Sequence, residues 1–396
     1  MDIFEKCYSF MQADELRAEG LLPYFKELQS RQDTEVIMEG KRRIMLGSNN
    51  YLGLTVEPEI IEAGVRAIKE YGTGCSGSRL LNGTLILHQE FEREIADFLG
   101  KEDAITFPSG FQSNLGAISA LAGRGDYLIC DKEDHASIYD GCRLSYGKLL
   151  RYRHSDMEDL EQKLQMVPEN AGCLVVTDGV FSMSGDVANL PEICRLAKQY
   201  GARTMVDDAH GLGILGLGGR GSGSYYGLEA QVDIYMGTFS KSLASLGGYL
   251  ASDAKVIDYI RCHSRPYIFA ASIPPASIAV AIAALRHLKA HPELPQRLRE
   301  IGDYMRSRLR ENGIQVEAGI TPIIPIYTFD SMTTLQMQKE MYDRGVYVNA
   351  TLPPACAPGR CLLRCSLMAT HTKPQIDEAV RVISDVFHRY ERREPG

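Results

Sequence analysis

Lys241 occupies a position in the sequence that suits a reactive amine. It lies in the otherwise uncharged segment 237–242 (Gly-Thr-Phe-Ser-Lys-Ser), directly after the apolar run 234–236. A lysine in such surroundings loses solvation, so its pKa falls and its neutral amine can form a Schiff base. Thr238 and Ser240, with the adjacent backbone amides, are suited to hold a phosphate beside it. The alternative is a surface lysine just past a strand.

A carboxylate and a histidine, Asp207 and His210, follow another apolar run at 204–206. A carboxylate at the end of a strand can pair with a protonated pyridine nitrogen, which lets the ring withdraw electrons from a bound substrate. Asp-x-x-His is equally half of a metal site. No second cluster offers the remaining ligands, and the ten cysteines form no C-x-x-C pair. We therefore expect no metal.

Two further segments are suited to bind anions. Ser109, Gly110 and Phe111 lie between a predicted strand and a predicted helix, where small residues and free backbone amides favour an anion site. A plain tight turn fits these residues as well. Arg364 lies within the apolar run 361–367, and arginine matches a carboxylate in bidentate fashion. The alternative for Arg364 is the solvated edge of a sheet.

Short apolar runs alternate with helical patterns in the first two thirds of the chain. The strands are expected at 104–107, 127–130, 173–177, 204–206 and 234–236, with helices at 156–165 and 190–200. This alternation predicts βαβ units and a mostly parallel sheet. In such sheets ligands bind beyond the carboxyl ends of the strands, and polar residues follow those ends at 131–135, 178–182, 207–210 and 237–241. We therefore expect an active site there.

The pattern changes near residue 290. Charged helices are expected at 292–312, 334–344 and 373–392, with short strands at 323–327, 346–349 and 361–367. The sequence thus predicts an N-terminal arm over 1–45 with an amphipathic helix and a short strand. A large α/β domain over 46–290 and a smaller α+β domain over 291–396 would follow it.

Composition excludes several classes of protein. The 396 residues are 44% apolar and 24% charged, which is ordinary for a globular chain and unlike disordered, collagenous or coiled-coil sequences. The net charge of −8 argues against a nucleic-acid-binding surface. The first residues have neither a basic nor an apolar run, so we expect no signal peptide, and Pro274 and Pro275 interrupt the longest apolar stretch, so we expect no transmembrane segment. Scattered cysteines favour a reducing compartment, here the cytoplasm.

One glycine motif is a weak candidate for a dinucleotide site. Residues 211–216 match G-x-G-x-x-G, but four residues separate them from the preceding apolar run, and no helical pattern begins after them. The sequence also has no P-loop and no G-x-S-x-G elbow. These observations disfavour NAD binding, ATP hydrolysis and the α/β-hydrolase mechanism.

Taken together, these motifs resemble the α-oxoamine synthases, which are pyridoxal 5'-phosphate (PLP) enzymes of fold type I. The similarity extends from residues 47–54 to 369–372 and includes 72–79 (GTGCSGSR), 134–137 (DHAS), 206–211 (VDDAHG) and 238–242 (TFSKS). The resemblance implies an aminotransferase-like α/β fold, with a large mostly parallel-sheet domain and a smaller α+β C-terminal domain. It also implies a homodimer with active sites at the interface.

The resemblance implies a catalytic role for four residues and a neighbouring position for a fifth. Lys241 would hold PLP covalently and later move the Cα proton of the substrate. Asp207 would pair with the pyridine nitrogen and His210 with the phenolic oxygen. His135 would stack on the face of the ring, and Ser182 would lie beside it.

The resemblance further implies how phosphate and substrate are bound. The phosphate would be surrounded by small and hydroxyl-bearing residues, namely Ser109, Gly110, Phe111, Thr238 and Ser240. Ser272 would reach it from the neighbouring subunit. Arg364 would bind the carboxylate of the amino acid, with Asn49 nearby.

Within the family, residues 74–84, 242–248 and 362–372 are most similar to soluble bacterial serine palmitoyltransferases. This implies decarboxylative condensation of L-serine with a long-chain acyl-CoA, giving 3-ketodihydrosphingosine, CoA and CO₂, the first step of sphingolipid synthesis. The alternatives are 8-amino-7-oxononanoate synthase, which uses alanine and pimeloyl-CoA, and glycine C-acetyltransferase. An aminotransferase-like PLP enzyme without a CoA substrate is a further alternative, from a different class.

Overall fold

The computed structural model describes residues 2–391, which form two compact units. One unit is Asn49–Arg299, and the other joins the residues up to Ser48 with those from Glu300 onward. The expected division into an arm, a large domain and a small domain, with boundaries after 45 and 290, stays a prediction. Its outermost residues, 1 and 392–396, lie outside the described residues.

The elements of the described chain follow in order. The strands are β1 (Glu35–Met38), β2 (Lys41–Met45), β3 (Asp103–Phe107), β4 (Tyr127–Asp131), β5 (Lys148–Tyr152), β6 (Cys173–Asp178), β7 (Arg203–Asp207), β8 (Ile234–Thr238), β9 (Gly248–Ser252), β10 (Ile323–Phe329), β11 (Val346–Tyr347), β12 (Asn349–Thr351) and β13 (Cys361–Ser366). The helices are α1 (Glu5–Tyr8), α2 (Gln12–Ala18), α3 (Pro58–Tyr71), α4 (Ile86–Leu99), α5 (Gly110–Leu121), α6 (Ala136–Leu144), α7 (Met157–Gln165), α8 (Leu190–Gln199), α9 (Ser222–Tyr225), α10 (Ala254–His263), α11 (Arg265–Ile268), α12 (Pro275–Ala290), α13 (Leu294–Glu311), α14 (Ser331–Asp343) and α15 (Lys373–Glu391).

A seven-stranded sheet, counted over the described residues, forms the centre of the Asn49–Arg299 unit. Its strand order is β3-β9-β8-β7-β6-β4-β5, and β9 runs antiparallel to its two neighbours while the other strands share one direction. The predicted mostly parallel sheet is confirmed. Because parallel strands end at one edge, the last residues of β4, β6, β7 and β8 lie side by side.

Side chains alternate between two hydrophobic clusters, one on each face of this sheet. Ile129, Val175 and Val206 belong to one cluster, whereas Val176 and Met205 belong to the other. The two-residue period of a strand places neighbours on opposite faces. Helices therefore cover both faces, and apolar runs without polar alternation are expected for such strands.

The other unit contains two three-stranded sheets within its described part, ordered β1-β2-β11 and β10-β13-β12. In the second sheet β13 is the central strand and pairs antiparallel with both neighbours. The predicted C-terminal strands and helices are confirmed to within a few residues, although Arg392, the expected last residue of the final helix, lies outside the described residues.

Three local expectations differ from the structure. The single N-terminal helix is instead the two short helices α1 and α2, neither of which buries a side chain, so packing does not extend them. Two strands, β5 and β9, had not been predicted. Only the last residue of β5 is fully buried, so its sequence shows no buried strand pattern. The strand β9 begins at Gly248, directly after Gly247, and glycine gives no strand signal.

Within the described residues, no helix combines the length and the apolar character that crossing a bilayer requires.

A buried ion pair between Arg79 and Glu92 fastens the segment between α3 and α4 to the sheet. Arg79 Nη1 and Nη2 donate to the two carboxylate oxygens of Glu92 at 2.7 and 3.0 Å. Thr106 of β3 donates to the same carboxylate through its backbone N–H and its hydroxyl, both at 2.9 Å. Both carboxylate oxygens of Glu92 therefore accept hydrogen bonds from buried donors.

We predict that Glu92→Ala lowers the free energy of unfolding by about 3–5 kcal/mol, because it leaves the Arg79 guanidinium buried without its counter-charge. Urea denaturation followed by circular dichroism measures this change. Glu192→Ala is the matched control, since Glu192 forms an exposed ion pair with Arg195 and its loss has little effect. Equal destabilisation by the two variants would contradict the prediction.

Candidate active site

A cavity of about 300 Å³ opens at the carboxyl edge of the seven-stranded sheet. Nine of the residues singled out from the sequence line it, namely Ser109, Gly110, Phe111, His135, Asp207, His210, Thr238, Ser240 and Lys241. A larger cavity of about 530 Å³ lies among α3, α4 and α12 and is lined by none of the singled-out residues. The smaller cavity is therefore the candidate site.

Lys241 lies in the turn that joins β8 to β9. Phe239 donates its backbone N–H to the Gly247 carbonyl at 2.9 Å, and Ser245 donates to the Phe239 carbonyl at 3.0 Å, which closes the turn. The Phe239 ring is buried, and its centroid lies 4.5 Å from the centroid of the Phe91 ring. The backbone that carries the lysine is therefore anchored on both sides.

The N-terminus of α5 faces the same turn. Ser109 caps the helix by accepting the Gln112 N–H at 3.2 Å. A Cβ atom at Gly110 would lie 2.8 Å from Thr238 Cβ, so only glycine permits this close approach. Thr238 and Ser240 hydroxyls lie 2.9 Å apart beside it. Helix amides and three hydroxyls thus converge on one end of the cavity, an arrangement that binds a phosphate.

Asp207 is held by a hydrogen-bond network that was not predicted from the sequence. Asn114 of α5 donates its amide to Asp207 Oδ2 at 2.7 Å and to Ser137 Oγ at 2.8 Å. Ser137 Oγ in turn lies 2.7 Å from His135 Nδ1, and the Ala209 N–H donates to Asp207 Oδ1 at 3.0 Å. The carboxylate and the His135 ring are therefore oriented by one shared network.

His210 is oriented by a tyrosine from the segment 47–54. Tyr51 Oη lies 2.7 Å from His210 Nδ1 and donates to Asn49 Oδ1 at 3.2 Å. Asn49 does not line the cavity itself, but Tyr51 connects it to a residue that does. Tyr51 was not singled out from the sequence, although it belongs to one of the motifs that carried the resemblance.

Burial shifts the pKa values of two titratable side chains that line the cavity, Asp178 and His135. Burial, together with the negative charge of Asp207, raises the pKa of Asp178 well above its usual range. Asp178 lies opposite Asp207 in the strand register and lines the same cavity. Burial also lowers the pKa of His135, against the opposing charge of Asp207, and the positive charge of Lys241 acts in the same direction as burial. Burial thus disfavours the charged forms of both Asp178 and His135.

Two expected cofactor-binding residues lie outside the cavity lining. Ser182 follows β6 in the loop 180–187. Ser272 is buried, donates its backbone N–H to the Gly77 carbonyl at 3.0 Å, and its Oγ has no hydrogen-bond partner among the described residues. Within one chain neither residue therefore lines the cavity, and both assignments, Ser182 beside the ring and Ser272 at the phosphate of a neighbouring subunit, stay predictions.

Arg364 lies on the central strand β13 of the other unit. It is only 4% exposed, it faces Pro325 and Asn349 in the strand register, and its Nη1 donates to Ser366 Oγ at 2.6 Å. A solvated position at a sheet edge, the alternative for this residue, is therefore wrong.

The glycine motif at 211–216 has a packing role. Gly213 has φ +77°, and a Cβ there would lie 2.7 Å from Ser242 Cβ. Ser242 Oγ donates to the Leu212 carbonyl at 2.6 Å. The glycines thus let this turn pack against the segment that carries Lys241, and the short 3₁₀ helix Leu217–Gly219 follows directly.

Comparison with known proteins is consistent with this geometry. A curated serine palmitoyltransferase from Sphingobacterium spiritivorum is 49% identical over 387 residues, which cover 98% of this chain and 97% of that protein. An 8-amino-7-oxononanoate synthase from Citrifermentans bemidjiense is 42% identical over 377 residues, covering 95% of this chain and 97% of that protein. A solved structure of SPT with a PLP internal aldimine has a TM-score of 0.96 at 37% identity and covers 99% of this chain and 100% of that one.

The fold class expected from the sequence, an aminotransferase-like α/β fold of type I, is confirmed by this likeness. Residues 41–383 match the family described as aminotransferase class I and II. On this match and on the identity of its relatives, the chain belongs to the aminotransferase class I and II family.

Proposed function

We propose that the chain is a PLP-dependent acyltransferase that condenses L-serine with a long-chain acyl-CoA such as palmitoyl-CoA. CO₂ and CoA are released, and 3-ketodihydrosphingosine is the product. The observation that carries the proposal is the meeting of Lys241, Asp207 and the N-terminus of α5 around one cavity. The 49% identity with a serine palmitoyltransferase supports the choice of substrates.

The residues of the cavity fit PLP in three respects. The N-terminus of α5, with Ser109, Thr238 and Ser240, offers donors to the phosphate. Asp207 offers a buried carboxylate to the pyridine nitrogen, and Lys241 offers an amine to the aldehyde. When bound, PLP supplies an electron sink for negative charge that develops at the Cα atom of the amino acid.

Asp207 holds the charge on which this chemistry depends. Asn114 and the Ala209 N–H fix its carboxylate in one orientation, so it meets the ring nitrogen without having to reorganise. His210, oriented by Tyr51, is assigned to the phenolic oxygen. The ring of His135 is assigned to the face of the cofactor.

Lys241 has two roles in the proposal. Its amine would hold the cofactor covalently, and the same amine would move the proton at the Cα atom of the bound amino acid. The closed turn around Phe239 and Gly247 keeps the backbone of Lys241 in place for both roles.

Arg364 is assigned to the carboxylate of the amino acid, with Asn49 assisting. An arginine on a central, buried strand is costly unless an anion compensates it, and a planar guanidinium fixes the orientation of a carboxylate as well as its charge. That orientation decides which substrate bond is broken.

We further infer a cytoplasmic homodimer with the active site at its interface. The buried Ser272 hydroxyl has no hydrogen-bond partner among the described residues of its own chain, which supports its assignment to the phosphate of a neighbouring subunit. All ten cysteines are free in the described residues, which supports a reducing compartment.

The second candidate function is 8-amino-7-oxononanoate synthesis from alanine and pimeloyl-CoA. The 42% identity with a synthase of that name favours it over glycine C-acetyltransferase and over an aminotransferase-like enzyme without a CoA substrate. The two synthase alternatives differ from the proposal in their substrates, whereas the aminotransferase-like alternative differs in the reaction itself.

We predict that thiol release is fastest with L-serine and palmitoyl-CoA. The assay crosses serine, alanine and glycine with acetyl-, pimeloyl- and palmitoyl-CoA and follows free CoA with a thiol reagent. Preference for alanine with pimeloyl-CoA, or for glycine with acetyl-CoA, would replace the proposed substrates. Amino-group exchange with a keto acid and no thiol release would overturn the reaction class.

Asp207→Asn is predicted to slow exchange of the serine Cα proton by at least about tenfold, equivalent to about 1.4 kcal/mol in the barrier. The amide cannot keep the ring nitrogen protonated, so negative charge at Cα is stabilised less. Proton NMR of serine in D₂O measures the exchange. Asp208→Asn is the matched control, because Asp208 is a buried neighbour that does not line the cavity. Similar exchange rates in the two variants would refute the assigned role.

Arg364→Ala is predicted to weaken serine binding by about tenfold or more, the expected cost of a lost charge-assisted hydrogen-bond pair. Turnover at saturating serine also falls, because the carboxylate loses its orientation. Arg364→Lys restores charge without the planar fork, so it recovers binding more than turnover. Spectral titration and steady-state kinetics separate the two effects. Arg360→Ala, an exposed arginine nearby in the sequence, is expected to change neither quantity.

A further inference from the structure

A cluster of charged side chains outside the cavity lining surrounds His154, two residues after the end of β5. Its Nδ1 lies 2.9 Å from Asp131 Oδ1, and its Nε2 lies 3.2 Å from Asp186 Oδ2. Glu133 Oε2 is a more distant third carboxylate at 3.9 Å from Nε2. The edge of the Phe181 ring contacts the imidazole, with 4.5 Å between the ring centroids. Both ring nitrogens thus face carboxylates.

The two carboxylates that contact His154 come from different parts of the fold. Asp131 is the last residue of β4, is 1% exposed, and also accepts the Ser155 N–H at 2.8 Å. Asp186 belongs to the loop 180–187 between β6 and α8. His154 therefore connects a fixed strand end with a loop.

The loop 180–187 is closed on itself by its backbone. Phe181 donates its N–H to the Asp186 carbonyl at 3.0 Å, Gly185 donates to the Phe181 carbonyl at 2.9 Å, and Val180 and Val187 form a β-bridge. These bonds lie within the loop, and Phe181 near its start packs into a hydrophobic core cluster. The contact of Asp186 with His154 attaches the far side of the loop to the segment after β5.

The carboxyl end of β4, which contacts His154 through Asp131, is also connected to the candidate active site. Asp134 Oδ2 accepts the Asp131 N–H, and Asp134 Oδ1 accepts the Asp178 N–H, both at 2.8 Å. Asp134 is followed by His135, which lines the cavity, as does Asp178. The contacts of His154 and the cavity are therefore both connected to the end of β4, through Asp131 and Asp134.

We propose that His154 is a positioning residue, which holds the loop 180–187, and with it Ser182, against the carboxyl end of β4 beside the cavity. The proposal rests on the function proposed above, because Ser182 is assigned to that site. His154 contacts no reacting group and acts through the loop.

The charge state of His154 suits this role. Burial alone would lower its pKa, but its hydrogen bonds with Asp131 and Asp186 outweigh burial and raise the pKa to about 10. The imidazole is therefore charged at neutral pH and donates from both nitrogens. Since the folded-state pKa is raised above its ordinary value of 6.5, the stabilisation is complete below about pH 6.5 and is lost as pH rises through about 10.

Other side chains cannot reproduce these contacts. A glutamine amide donates from one end only and carries no charge, so it satisfies one carboxylate and leaves the other without its partner. His154→Gln therefore releases the loop with a modest change of volume. Asp186→Asn removes the negative charge from the loop side of the same contact, which weakens it, and leaves the histidine in place.

The test measures both loop order and kinetics on the full chain supplied with PLP. Hydrogen–deuterium exchange of peptides covering 180–188 is expected to be at least about tenfold faster in His154→Gln and Asp186→Asn than in the wild type. The KM for serine is expected to rise by a similar factor with kcat nearly unchanged, because only the fraction of molecules with the loop in place binds serine well. His291→Gln, at an exposed histidine paired with Glu293, is the matched control and leaves both readouts unchanged.

A double variant decides whether His154 acts through Ser182. If it does, adding His154→Gln to Ser182→Ala raises KM much less than His154→Gln does alone. Fully additive effects would overturn the proposal, as would wild-type exchange of the loop in both single variants. If the wild type releases no thiol with serine, the proposed function fails, and the exchange measurement still decides the contact between His154 and the loop.

Discussion

Asp207 is a carboxylate buried to 4% exposure at the end of β7, and the rest of the cavity depends on how its charge is accommodated. An isolated buried carboxylate costs several kcal/mol, so its oxygens need donors and a second negative charge beside it is disfavoured. Asn114 and the Ala209 N–H supply the donors, and burial together with the charge of Asp207 raises the pKa of Asp178. These requirements place α5, β6 and the turn after β7 close together. Ser109, at the start of α5, is thereby brought to the cavity.

The strands that position the site were predictable because both faces of the sheet are covered. The run 234–236 is apolar throughout, and the strand there extends only two residues further, to Thr238. The polar residues after such runs mark the carboxyl edge, which is why Asp207, His135 and Lys241 were found from spacing and resemblance. By contrast, β9 is a buried strand that begins with glycine and was missed, since glycine gives no strand signal.

The residues that orient the catalytic groups were not predictable in the same way. Asn114 and Ser137 are ordinary polar residues on α5 and α6, and their contact with Asp207 and His135 exists only once the helices pack on the sheet. Ser137 lies in the segment 134–137 that carried the resemblance, whereas Asn114 lies three residues beyond the predicted anion-binding segment 109–111. His154 had no such signal, since its two carboxylate partners lie 23 and 32 residues away in the chain.

The turn that carries Lys241 connects two antiparallel neighbours, β8 and β9, and not two strands joined by a crossover helix. Both of its ends are therefore hydrogen-bonded within the same sheet. The Lys241 amine can therefore change position only by rotation about its side-chain bonds, a motion on the order of nanoseconds when unhindered. Under the roles proposed for Lys241, slower backbone rearrangement is therefore not required for the amine to move from one role to the other.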